Sequence, residues 1–92
     1  MMRRLSDRKE RAEVGSRMRL AREMAGYRNA DLSKMIDITP SRLTSWENGD
    51  AMPNTPRLWR ALVEALGVTC DYLLLDKTDG LTREVFVKLS RR

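Results

Sequence analysis

Histidine is absent from this 92-residue sequence, and cysteine occurs once, as Cys70. A lone cysteine excludes an internal disulfide, and without histidine a zinc site of the usual Cys/His type has no ligand set. No metal cluster, phosphate-binding loop or nucleophile-and-base set is visible, so the sequence carries no sign of an enzyme or of a cofactor. No apolar run approaches the ~18 residues needed to cross a bilayer, and the amino terminus lacks the apolar core of a signal peptide. A cytoplasmic protein without a membrane partner is the expectation. Strand signals of useful length, internal repeats and low-complexity tracts are lacking too.

What the sequence has in quantity is charge, 18 basic against 13 acidic residues for a net +5. The excess is uneven. Residues 1–28 hold nine basic and four acidic side chains, residues 29–75 four and six, and residues 76–92 five and three. Basic ends point to an acidic partner such as nucleic acid, although a solvated helix face gives the same count. A chain of this length makes one small domain, burying roughly 60 to 65 % of its unfolded surface.

Helical periodicity runs from Asp7 to Ala25, with Val14, Met18, Ala21 and Ala25 as a narrow apolar stripe and Gly26 as the stop. Residues 1–6, with Arg3 and Arg4, form a basic arm that is either a solvated tail or a groove-reaching extension. A second, two-turn helix is expected over Asn29–Ile36, with Leu32, Met35 and Ile36 inward and Ser33 small enough for close helix approach. Asp37-Ile38 reads as a turn, since Asp tolerates left-handed backbone. Thr39 is a good N-cap and Pro40 suits the first helical position. Leu43 and Trp46 then share an inward face, and Asn48-Gly49 closes the helix.

Thr55-Pro56 repeats that start signal ahead of Leu58, Leu62, Ala65 and Leu66, with Gly67 as the stop. Thr69 caps a short fifth helix containing Tyr72, Leu73 and Leu74. The pattern predicts an all-α domain of five helices over residues 7–75. In the tail, residues 76–92, Thr82 can cap an extra helix with Leu81, Val85 and Leu89 inward. Cys70 and the methionines are expected as apolar filler, with Met24 exposed. Trp59, beside the inward stripe of the fourth helix, is either core or half-exposed and open to a second subunit.

The two short helices around Asp37, with apolar residues at 32, 36, 38, 43 and 46, leave the polar side of the second one exposed. A helix of that size can enter the major groove of B-DNA, about 12 Å wide. The free N–H groups at the helix starts near Asn29 and Pro40 would face phosphates. Arg17, Arg19, Arg28 and the Arg3/Arg4 arm could add phosphate contacts that release counterions.

Over Val14 to Leu75 the sequence resembles the phage-repressor and Cro-like (Xre-type) helix-turn-helix family, through "VGSRMRLAREMAGYRNADLSKM", "IDITPSRLTSWENG" and "LVEALGVTCDYLL". The resemblance implies a five-helix, lambda-repressor-like DNA-binding domain that works as a homodimer on a palindromic operator, with the third helix in the major groove. It implies base-edge and nearby phosphate contacts for Pro40, Ser41, Arg42, Thr44 and Ser45, and phosphate contacts for Asn29 and Asn48, which could equally be helix caps. It pairs Arg22 with Glu47 as a buried structural ion pair. Asp37 stands where relatives commonly have glycine, Ser33 where they have alanine, and Pro40 where they have a longer polar side chain. Apolar contact with a thymine methyl is the most that Pro40 can offer.

The expected function is sequence-specific regulation of transcription, by a bacterial or phage-encoded repressor that occupies an operator and excludes polymerase. A second reading keeps the same domain in an antitoxin that also holds a protein toxin through a terminal segment.

Overall fold

A computed structural model describes residues 7–90. The basic arm at residues 1–6 lies outside the described residues. Among the described residues six helices follow in order: α1 Asp7–Met24, α2 Asn29–Met35, α3 Pro40–Asn48, α4 Pro56–Leu66, α5 Cys70–Leu75 and α6 Arg83–Ser90. No strand occurs among the described residues. None of the described helices is long and apolar enough to cross a membrane.

The helix starts follow from local chemistry. The hydroxyls of Thr39, Thr55 and Thr69 accept the N–H groups of Arg42, Leu58 and Tyr72 at 3.0 to 3.2 Å, satisfying donors that a helix start leaves open. Pro40 and Pro56 occupy first helical positions, where the missing N–H costs nothing. Thr82 does the same for α6 by accepting from Val85, so the tail does form an extra helix. Asp37 adopts the left-handed conformation (φ 62°), and Ile38 N–H returns to the Ser33 carbonyl at 2.9 Å. Asp76 ends α5 in the same way (φ 58°), without the glycine that usually marks such a position.

One core joins the helices. Val14, Met18, Ala21, Leu32, Ile36, Leu43, Trp46, Leu58, Leu62, Leu66, Tyr72 and Leu73 are buried together, with Leu81, Val85 and Leu89 packed against their edge. The long α1 is the spine, in contact with α3, α5 and α6, while α2 packs on α3. Each fully buried Leu or Trp contributes roughly 1.5 to 3 kcal/mol by leaving water.

The inward faces differ from the periodic reading in two places, at Met35 in α2 and at the end of α1. Met35 is 52 % exposed, because at 100° per residue it falls away from the face shared by Leu32, Ser33 and Ile36. Ala25 lies beyond the end of α1 and is exposed, whereas Met24 is partly covered. In α5, Tyr72 and Leu73 turn to the core and Leu74, for which no inward face is expected, is exposed.

Trp59 is partly buried. Its indole N–H donates to the Pro53 carbonyl at 3.0 Å and so fixes the α3–α4 connection.

Candidate nucleic-acid interface

The site is built around α3, whose two faces have separate tasks. Leu43, Trp46 and Glu47 are buried, Trp46 at 1 % exposure, while Pro40, Ser41, Arg42, Thr44 and Asn48 are exposed and Ser45 is partly so. At 3.6 residues per turn, Ser41, Ser45 and Asn48 stand opposite the buried stripe. Pro40 and Thr44 form the flank toward α2, and Arg42 forms the other flank.

Glu47 locks the buried face to α1. Its carboxylate, with a side chain only 2 % exposed, accepts both Nε and an Nη of Arg22 at 2.7 and 3.0 Å. Arg19 adds a longer contact at 3.6 Å from a half-exposed position. The remaining Arg22 Nη donates to the Tyr27 carbonyl, so one guanidinium ties α1, the α1–α2 connection and α3 together. The hydrogen bond that Arg22 donates to Glu47 raises the Arg22 pKa above its ordinary value, against the opposing effect of burial. The main worth of such a pair is geometric, because desolvation offsets much of its attraction.

Two glycines let α3 approach α1 at backbone distance. A Cβ on Gly15 would lie 2.4 Å from the Trp46 carbonyl oxygen and 2.5 Å from that of Glu47. Gly49, left-handed at φ 82°, sits where a Cβ would meet the Ala12 backbone at 2.7 Å. Arg11 Nε donates to the Gly49 carbonyl at 2.9 Å and closes the same corner. Periodicity misses Gly15, whose only signal is a glycine inside a helix, a substitution that costs about 1 kcal/mol relative to alanine and so implies a spatial need.

The α2 edge is polar. Asn29 is the first residue of α2, partly buried, and its Nδ2 donates to Thr44 Oγ1 at 3.0 Å and to the Pro40 carbonyl at 3.3 Å. Its Oδ1 is buried without a hydrogen-bond donor. Arg28 caps α2 together with Asp31, whose carboxylate accepts the Arg28 backbone N–H at 3.0 Å and the guanidinium at 3.2 and 3.3 Å. These bonds, the side-chain one foremost, hold Asp31 below its usual carboxylate range and raise Arg28. A phosphate near Arg28 would therefore share the guanidinium with Asp31.

On the other flank, the Arg42 guanidinium carbon lies 5.7 Å from the centre of the Trp46 ring. That contact orients Arg42 along the helix edge while its side chain stays exposed.

Two of the cations expected at phosphates are used elsewhere. Arg17, expected at a phosphate, donates to the Leu73 and Leu74 carbonyls at 2.8 and 3.3 Å, closing the carboxy end of α5. Arg19 leans on Glu47 instead of standing free. Asn48 stays exposed in the last turn of α3, with Gly49 taking the cap position behind it. Pro40, Ser41, Arg42, Thr44, Ser45, Asn29 and Asn48 are thus brought together on or beside one helix.

A family model described as a helix-turn-helix domain matches residues 15–80. The chain is also 35 % identical over 69 residues to the 26 kDa repressor protein of Escherichia phage HK022, covering 71 % of this chain and 29 % of that protein. It thus spans less than a third of that relative's length. No solved structure matches the chain significantly.

Proposed function

From its membership of the helix-turn-helix domain family of the phage-repressor type, a DNA-binding family, we propose that this chain is a sequence-specific regulator of transcription acting on double-stranded DNA. The observation that carries this reading is the division of α3 into a buried face, anchored through Glu47, and an exposed face of short polar side chains flanked by Arg42. Such a helix presents hydrogen-bonding groups at fixed positions, which is what reading base edges requires.

In this mechanism α3 enters the major groove. Ser41, Thr44 and Ser45 meet base edges or adjacent phosphates, Pro40 offers only apolar contact, and Arg42 is the single long donor. Asn48 and Arg28 lie at the phosphate side, where Asn29, its two amide hydrogens already used, offers its backbone N–H. The phage relative is named a repressor protein, which supports repression as the outcome, here by occupying an operator and excluding polymerase. A homodimer on a palindrome is the arrangement that doubles so small a reading surface.

Selection of bound sites from random duplex DNA, with and without Arg42→Ala and at several salt concentrations, tests the reading. The expected result is an enriched half-site repeated with dyad symmetry, and a loss of roughly 1 to 3 kcal/mol of discrimination at one base pair in the variant. No enriched site, or an unchanged preference in Arg42→Ala, would remove the mechanism. A particle that sediments as a strict monomer on DNA would remove the dimer.

A further inference from the structure

We propose that Asn29 sets the hydrogen-bonding sense of Thr44, making its hydroxyl a donor toward the duplex, so that the DNA must present an acceptor at that point. This rests on the DNA-reading role given above to α3, and assigns Asn29 as a positioning residue for its neighbour.

The Pro40 carbonyl fixes the orientation of the Asn29 amide. A carbonyl only accepts, so the amide group facing it at 3.3 Å is the NH2. The same nitrogen stands 3.0 Å from Thr44 Oγ1, which must then be the acceptor in that bond. The hydroxyl proton of Thr44 needs another partner.

A threonine inside a helix ordinarily returns that proton to the carbonyl four residues back, here Pro40. That oxygen has two lone pairs, one taken by the helical N–H of Thr44 and the other by Asn29. The acceptor four residues back is therefore filled. Thr44 is exposed, so its proton is left directed away from the helix, on the flank where the proposed groove surface begins.

The orphaned Oδ1 of Asn29 bears on the same point. An amide that merely fastened α2 to α3 would do better turned over, with its oxygen accepting from the Thr44 hydroxyl. The Pro40 carbonyl prevents this, and the amide oxygen is left buried without a donor. The arrangement gives up one hydrogen bond inside the protein and presents a donor outside it. A donor at Thr44 accepts as partners a phosphate oxygen or the acceptor edges of guanine, adenine N7 and thymine O4, and it opposes the amino groups of adenine and cytosine.

The test compares the full chain with Asn29→Ala, Thr44→Val and the double variant in site selection and in affinity for the selected duplex. Circular dichroism confirms folding, and Asn29→Ser replaces Asn29→Ala if the start of α2 is disturbed. If Thr44 meets a base, each single variant loses about fivefold preference at the same base pair and the double loses no more. If it meets a phosphate, each loses about fivefold affinity for every duplex alike, again without a further loss in the double. Both outcomes support the relay and tell its two sources apart. Losses that multiply in the double variant, or an Asn29→Ala protein unchanged where Thr44→Val is impaired, would overturn it. Absence of any enriched site for the unmodified chain would instead be the failure of the DNA-reading role itself.

Discussion

Helices α3 and α6 begin alike and are held very differently. Each opens on a threonine that accepts an N–H three residues on, and they are nine and eight residues long. Yet α3 buries Leu43, Trp46 and Glu47, while α6 buries none of its residues and leaves Phe86 and Val87 outward at 43 and 41 % exposure. Two arginines of α1 close the far end of α3, through Glu47 and the Gly49 carbonyl. The ion pair within α6, Lys88 to Glu84, is 4.0 Å long and solvent-facing. The difference teaches that a capping residue decides where a short helix starts, and that tertiary contact decides whether it is fixed in place. A helix that reads a groove has to be fixed.

The strongest way to break the comparison is Gly15→Ala. Alanine is the better helix former by about 1 kcal/mol, yet its Cβ would collide with the backbone oxygens of Trp46 and Glu47, which no side-chain rotation can relieve. Moving α3 off α1 outweighs the propensity gain, and urea unfolding should show a net loss of about 2 to 3 kcal/mol. An unchanged midpoint would mean that the α1–α3 distance is not what fixes the reading helix.

Glu47→Gln is a gentler break at the same contact. The glutamine keeps one hydrogen bond to Arg22 but leaves the guanidinium of a largely covered side chain, 12 % exposed, without its counter-charge. A loss of about 2 kcal/mol in urea unfolding is expected, with weaker binding to any selected operator. An operator affinity that falls no further than stability predicts would show that the pair supports the fold alone.

The same contrast explains what could be read from the sequence. Helix starts at Thr39-Pro40 and Thr55-Pro56, the left-handed Asp37, and the inward Leu43 and Trp46 all depend on neighbours within four residues, and they are legible. The exposed residues of α3 were legible for the same reason. Arg11 and Arg17 were not, because each meets a carbonyl far along the chain, Gly49 and Leu73, and a long cation looks alike in sequence whether it is solvated or closing a helix. Asn29 was placed at the interface by resemblance, but its bond to Thr44 needs the α2–α3 crossing to be known. Gly15 carries its information in a missing atom, which becomes meaningful only when Trp46 is seen above it.

The smallest effect sharpens the comparison most, since it sets equal substitutions at equal positions. Thr39→Ala and Thr82→Ala each remove one capping acceptor. At α3, whose unfolding exposes Trp46 and Glu47, loss of the cap should appear in the global transition as about 1 kcal/mol. At α6, with no buried residue, the helix can open while the core stays closed, so the global change should remain below about 0.5 kcal/mol. The missing cap should appear there as faster amide exchange confined to residues 83–90. Equal losses from the two substitutions in urea unfolding would mean that α6, held through Leu81, Val85 and Leu89, unfolds with the core as one unit, and that partial burial alone is enough to fix a helix.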